Sequence, residues 1–262
     1  MTVPSALPAQ ADLERRFGGL RRLYGDAGYE RLRTARIAVV GLGGVGSWTV
    51  EALARCGVAQ LVLFDLDHVA ESNINRQVQA LEHTLGQSKV VALRERIASI
   101  HPGCDVRGVE DFVAAANWPA LLPTPVDVLI DACDQVHAKA ALAVWSLREG
   151  CALVCVGAAG GKREAQRVEV ADLADTTHDP LLASLRQRLR RDGAAPRQGR
   201  IGLRCVFSRE SVAPPADACD AGDGSLNCHG YGSSVTVTAT FGMVAAGEAI
   251  ALCLRPGVLG KG

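Results

Sequence analysis

A chain of 262 residues, 48% hydrophobic and 21% charged, carries enough apolar mass for one large domain, with or without an appendage. Its 28 Lys and Arg balance 28 Asp and Glu, which excludes a general attraction to polyanions and confines any nucleic-acid contact to a local patch. Aromatics at 4% argue against a base-stacking platform, and nine cysteines without a paired CxxC motif argue against a disulfide framework or a tetrathiolate zinc site. Met1–Gln10 has neither the basic start nor the apolar core of a secretory leader, so reduced thiols and a cytoplasmic location are expected.

In chain order, residues 10–33 read as a helical arm rich in Arg and Glu, broken near Gly18–Gly19 and Gly25. Arg36–Gly41 (RIAVVG) is a short apolar run and predicts a buried strand, and Val45–Cys56 has helical spacing. Gln60–Asp65 (QLVLFD) predicts a second strand ending in an acid. Leu66–Leu81 is polar and predicts a loop with a short helix, and Ser88–Ile100 a helix that Pro102 ends. Strands are expected near Asp105–Val109, at Val126–Asp131 and at Ala152–Val156, with a helix over Val136–Arg148. Cys151 and Cys155 then fall in a strand as small packing side chains. This alternation predicts a parallel sheet with right-handed crossovers.

After Gly157 the pattern changes. Gln166–Val170 alternates as an antiparallel strand would, Pro180–Arg191 is a basic amphipathic helix, and Ser211–Gly230 lacks periodicity and predicts a mobile loop. Val235–Leu254 is long and apolar enough to span a bilayer, but Glu248, three Thr and two Gly make a core or dimer-interface helix the better reading, without stable membrane insertion. The expected fold is α/β: a Rossmann-like, mostly parallel sheet with helices on both faces and a mixed C-terminal extension. The expected divisions are an arm at 1–35, a nucleotide-binding domain at 36–160 and an extension at 161–262.

The chemistry concentrates where strand meets helix. Gly41, Gly43, Gly44 and Gly46 form a GxGxxG turn directly after the first strand, so the backbone can approach a nucleotide and the helix start offers free N–H donors. Asp65, nineteen residues past Gly46, is placed to accept ribose hydroxyls. The turn alone does not separate a dinucleotide from ATP. The next loop adds Asp67, Asn73, Asn75, Arg76 and Gln77, then Lys89, and Arg76 and Lys89 can neutralise charge on departing pyrophosphate. Asp67 and Asp134 are oxygen ligands available to Mg²⁺.

The ordered set GLGGVG, FDLD, SNINRQ, Lys89 and DACDQ resembles the ubiquitin-activating-enzyme-like superfamily, which includes bacterial enzymes that adenylate sulfur-carrier proteins. The resemblance implies ATP and Mg²⁺ as cofactors, ribose binding by Asp65, triphosphate contacts by Asn75, Arg76 and Lys89, and metal binding by Asp134, with Asp131 a weaker candidate. It also implies a homodimer. The chain departs from the carrier-adenylating enzymes in lacking their zinc ligands. Where they place an N-terminal Arg contributed by a partner subunit, it reads Arg16-Phe17-Gly18-Gly19, with Arg22 the nearest replacement. RFGG, LRRLYG, VGAAGG, CVFS, NCHGYGSS and VTATFG resemble the tRNA threonylcarbamoyladenosine dehydratases over nearly the whole chain. That family adenylates a carboxylate on tRNA and closes a ring with formal loss of water.

Two further features stand beside that likeness. Cys228 matches a cysteine considered catalytic in the wider family, and the adjacent His229 and its expected exposure favour a lowered thiol pKa; the alternative is a loop cysteine without a role. Arg186, Arg188, Arg190, Arg191, Arg197, Arg200 and Arg204 face a single acid, Asp192, in the same stretch, so they form a candidate tRNA-backbone patch that Lys162, Arg163 and Arg167 extend. A sulfur-transfer partner such as a cysteine desulfurase is also a candidate; the rival readings are an activator of a sulfur-carrier protein and a nicotinamide-dependent oxidoreductase or nucleotide sensor.

Overall fold

The computed structural model describes residues 11–212 and 231–255. Seven strands form one sheet: β1 (Arg36–Val40), β2 (Gln60–Phe64), β3 (Asp105–Val109), β4 (Val128–Asp131), β5 (Ala152–Val156), β6 (Val168–Asp172) and β7 (Arg204–Ser208). Their spatial order is β3-β2-β1-β4-β5-β7-β6, parallel throughout except that β6 runs antiparallel to β7. The parallel part is the Rossmann order, whose direction reverses between β1 and β4 and opens a crevice at their carboxyl ends. The last two strands extend the same sheet. β7 was missed by sequence reading, because RCVFS is short and follows an arginine-rich stretch that masks its apolar core.

Period-two alternation feeds two apolar layers. Ile37, Val39, Leu61, Leu63, Ile130 and Val154 face one side, against α2 (Gly46–Arg55), α3 (Lys89–Ile100) and α6 (Val235–Cys253). Ala38, Val40, Phe64, Leu129, Cys155 and Phe207 face the other, against α4 (Val136–Glu149) and α5 (Pro180–Arg191). α1 (Leu13–Leu32) lies at the end of α6, where Arg31 donates to the Leu254 carbonyl at 2.7 Å. α1 runs unbroken through Gly18 and Gly19; its one interruption is at Gly25, where φ is +71°.

α6 is a core helix. Val237, Phe241, Ala245, Ala246, Ala249 and Ile250 are buried, and Glu248 pairs with Arg204. It crosses α2 backbone to backbone: a methyl group on Gly242 would sit 2.6 Å from the Val45 carbonyl oxygen, and Thr49 Oγ1 donates to the Gly242 carbonyl at 3.2 Å. That crossing fixes the start of α2, which is where the glycine turn ends.

Candidate active site

The site is assembled at the crevice between β1 and β4. Gly41 leaves β1 with φ +86°, and a methyl group on Gly46 would lie 1.8 Å from the Gly41 carbonyl oxygen. The turn therefore closes on itself so tightly that its last residue has room only for hydrogen. Gly43, by contrast, faces open space, with no atom within 4 Å of a Cβ built there. α2 opens at Gly46 without a side-chain cap; its Ser47 amide is taken by the Gly43 carbonyl at 3.0 Å, and the positive end of the helix still favours an anion.

Asp65 clamps this turn to the neighbouring strand. Its Oδ2 accepts the Leu42 amide at 2.6 Å and its Oδ1 the Asp67 amide at 2.9 Å, with lone pairs left over for a hydroxyl donor. Burial pushes the Asp65 carboxyl above the ordinary carboxylate range, against the opposing pull of Lys89 and the two amides. Lys89 opens α3 with its side chain buried, and its Nζ lies 2.7 Å from Asp67 and 3.8 Å from Asp65. Since the Asp67 side chain is 62% exposed, that contact is weak and a phosphate can displace it.

Arg76 packs on the turn: its Cδ is 3.3 Å from the place a Cβ would take on Gly44. Its Nη1 donates to the Ser72 carbonyl at 2.7 Å and to Asn75 Oδ1 at 3.0 Å, and its own carbonyl accepts Trp48 Nε1 at 2.9 Å. Asn75 Nδ2 donates to the Ser233 carbonyl at 3.0 Å. Asn73 and Gln77 are buried and brace the loop. Asn73 Oδ1 accepts the Ala70 amide, and Gln77 Oε1 accepts Gln79 Nε2, which also donates to the Leu42 carbonyl at 3.1 Å. Trp48 and Gln79 thus hold the turn and its arginine in place; neither lies in a motif, so no local signal announces them.

Across the crevice, Asp134 follows β4 half-buried, and among the described residues no hydrogen bond or ion pair engages its carboxylate. No group of three or more His, Cys, Asp or Glu side chains is arranged for a metal among the described residues. One available carboxylate in the loop that packs on the glycine turn fits Mg²⁺, which binds through one or two carboxylates plus phosphate oxygens. Asp131, the weaker candidate, is excluded as a ligand: it is fully buried beneath the loop and paired with Lys139. Cys228 lies outside the described residues. Downstream of it, Gly232 accepts the Gly161 amide at 2.9 Å, so residues 231–234 run between the loop after β5 and Asn75.

A ThiF family model matches residues 16–260. A tRNA threonylcarbamoyladenosine dehydratase of Escherichia coli (strain K12) is 42% identical over 246 residues, covering 90% of this chain and 92% of that protein. The chain belongs to the ThiF family, with the tRNA threonylcarbamoyladenosine dehydratases. The Bacillus subtilis (strain 168) dehydratase is 36% identical over 187 residues, 71% of this chain and 72% of its own. The crystal structure of the E. coli dehydratase in complex with ATP superposes with TM-score 0.84 at 40% identity, covering 93% of this chain and 96% of that one.

In this ThiF-family chain the arginine stretch is less uniform than its composition. Arg186 points inward, where its Nη1 donates to the Leu173 and Thr176 carbonyls and to Thr176 Oγ1; it locks α5 to the preceding loop and is removed from the patch. Arg204 is neutralised by Glu248, and Arg188 lies against His137 and Asp192. Arg190 is partly buried and donates to the Gly199 carbonyl. Arg191, Arg197 and Arg200 are exposed, with Arg191 paired to the exposed Asp192 at 2.9 Å.

The loop bearing Arg197 and Arg200 is held by Asp172, which accepts the Ala174, Ile201 and Gly202 amides at 3.0, 2.9 and 2.7 Å and also pairs with Arg200. Burial pushes the Asp172 carboxyl up, but these donors outweigh it and hold it below the usual range. A depressed carboxylate contributes stability above its unfolded pKa, about 3.9, and loses it as pH falls through the folded value. Amide exchange at Ile201 and Gly202, corrected for intrinsic rate, is expected to accelerate in that acid window, and Asp172→Ala to show the acceleration already at neutral pH. Unchanged protection in that variant would remove the clamp.

Proposed function

We propose that this chain uses ATP to close the threonylcarbamoyl group of N6-threonylcarbamoyladenosine, beside the tRNA anticodon, into its cyclic form. The observation that carries this reading is the full-length likeness to a dehydratase crystallised with ATP, in a chain where Asp65 and Arg76 both pack on the glycine turn and Lys89 lies beside Asp65. The substrate carboxylate attacks the α-phosphorus of ATP and pyrophosphate leaves. The tethered ureido group then attacks the acyl carbon and AMP leaves, so the net change on tRNA is the loss of one water. Adenylation is needed because a carboxylate oxygen is too basic to depart. Ring closure gains effective molarity because both partners sit on one nucleoside.

In this scheme the turn and the start of α2 hold phosphates, Asp65 the ribose, and Asn75, Arg76 and Lys89 the charge that builds on pyrophosphate. Asn73 and Gln77 brace the phosphate loop from beneath. Asp134 would hold Mg²⁺, whose charge further neutralises the triphosphate. Cys228 is the candidate acceptor if the acyl group passes through a thioester before closure. A cytoplasmic homodimer belongs to the same reading, with the exposed Val235 and Met243 of α6 offering it apolar surface.

Incubating the protein with ATP, Mg²⁺ and tRNA is expected to convert the nucleoside to a product lighter by one water, seen by mass spectrometry, with AMP and pyrophosphate released only when tRNA is present. Pyrophosphate exchange driven by a sulfur-carrier protein and not by tRNA would select the carrier-activating reading instead. Neutralising Arg191, Arg197 and Arg200 together is expected to weaken tRNA binding about tenfold at low salt and to flatten its salt dependence by about two to three counterions, with ATP affinity unchanged. An unaltered salt slope would place the tRNA elsewhere.

A further inference from the structure

Directly beneath the nucleotide turn lies a charged pair that the scheme above leaves without a role. Asp131 ends β4 and Lys139 comes from the first turns of α4; both side chains are 0% exposed, with Nζ and Oδ2 3.1 Å apart. Lys139 Nζ also donates to the Val156 carbonyl at 2.7 Å and to the Asp131 carbonyl at 3.3 Å. One ammonium therefore ties the carboxyl ends of β4 and β5 to the start of α4.

Asp131 passes this constraint on. Its Oδ1 accepts the Cys133 amide at 3.2 Å and the Cys133 thiol at 2.9 Å, and its Oδ2 accepts the Cys155 thiol at 3.4 Å. The loop so held is pressed on the glycine turn. The Ala132 amide donates to the Val40 carbonyl at 2.8 Å, and a Cβ on Gly41 would meet the Ala132 carbonyl oxygen and the Cys133 nitrogen, each at 2.9 Å. The next residue is Asp134. A fully buried ion pair is a poor source of net stability, since well-packed apolar residues of similar volume do as well. What an apolar pair cannot do is bind acceptors on two strand ends and an amide in the loop between them.

We propose that Lys139 and Asp131 are positioning residues for the nucleotide site, setting the Ala132–Asp134 loop against the glycine turn so that the Asp134 carboxylate faces the bound triphosphate. The inference rests on the reading of Asp134 as the metal carboxylate. Neither residue touches nucleotide, so the pair acts through the loop.

The test compares ATP affinity with Mg²⁺ and with EDTA in the full chain. The double substitution Asp131→Asn with Lys139→Met removes both charges together and leaves no uncompensated ion in the core. It is expected to fold, to lose at least fivefold of the affinity gained from Mg²⁺, and to show faster amide exchange at residues 132–135 while β3 is unchanged. Lys139→Arg keeps a charged donor and is expected to retain most of the gain; it also serves if the double variant does not fold, since full loss of the gain in a folded Lys139→Arg protein would contradict the role. A folded double variant with the wild-type Mg²⁺ gain overturns the proposal. Asp134→Asn separates the two levels: it is expected to abolish the gain in the wild-type background, and a full gain there overturns the reading of Asp134 on which the inference stands.

Discussion

Lys89→Met is expected to lower tRNA-dependent pyrophosphate release about 10²–10³-fold, the loss found when one preorganised donor to developing charge is removed. Lys89 is the cation held inside the site: its side chain is buried, within reach of Asp65 and Asp67, at the head of α3. Arg76 is more exposed and has two acceptors on its own loop, so it cannot take over the position from across the turn. Most of the effect is expected in kcat, because the charge that Lys89 meets grows as pyrophosphate departs. ATP binding, measured directly, is expected to weaken by only about tenfold, since the glycine turn and Asp65 remain.

The same substitution leaves a signature in stability. Burial already pushes the Asp65 carboxyl up, and Lys89 is the chief influence holding it down. Without Lys89 it titrates higher still. A carboxyl whose folded pKa lies above its unfolded value contributes stability at low pH and loses it as pH rises through the folded value. The variant's deficit in Tm is therefore expected to be larger at neutral pH and to shrink toward pH 4, near the ordinary carboxylate value of about 3.9. A variant with wild-type pyrophosphate release would remove Lys89 from the chemistry. A deficit that grows with acid would show that Asp65 is not the group left unpaired.

What was legible in the chain follows the range of each interaction. β1, β2 and β4 are buried on both faces and read as continuous apolar runs, and the glycine turn and Asp65 sit at strand ends within one βαβ unit. β7 gave no such signal, because its first residue is an arginine that Glu248 neutralises from α6. The arginine stretch failed as a count for the same reason: Thr176 and Glu248, which take up Arg186 and Arg204, lie outside the window being counted. Trp48 and Gln79 brace the turn through backbone carbonyls far along the chain, as Lys139 does for the strand ends. Sequence periodicity carries which face a residue takes, and it does not carry which distant carbonyl its polar end meets.

Gly46→Ala and Gly43→Ala are expected to part company, and the contrast bears on whether a triphosphate lies over this turn. At Gly46 the new methyl group would sit 1.8 Å from the Gly41 carbonyl oxygen, a backbone atom that Asp65 and the Ala132–Cys133 loop hold from two sides. Nothing there can yield cheaply, so the variant is expected to lose about 3 kcal/mol or more of stability, the upper end of overpacking costs, and ATP binding with it. At Gly43 no atom lies within 4 Å of the added carbon, and its φ is outside the left-handed region. Stability there should stay within about 0.5 kcal/mol of wild type, as for substitutions that meet no neighbour. The methyl group nonetheless projects into the space a phosphate must enter to reach the backbone, so ATP affinity is expected to fall at least tenfold, about 1.4 kcal/mol. A Gly43→Ala protein with unchanged Tm and weakened ATP binding separates ligand approach from folding, which Gly46→Ala alone cannot do. Unchanged ATP affinity in Gly43→Ala would mean that the phosphates do not approach over Gly43, and the roles given to Arg76 and Lys89 would then have no charge to meet.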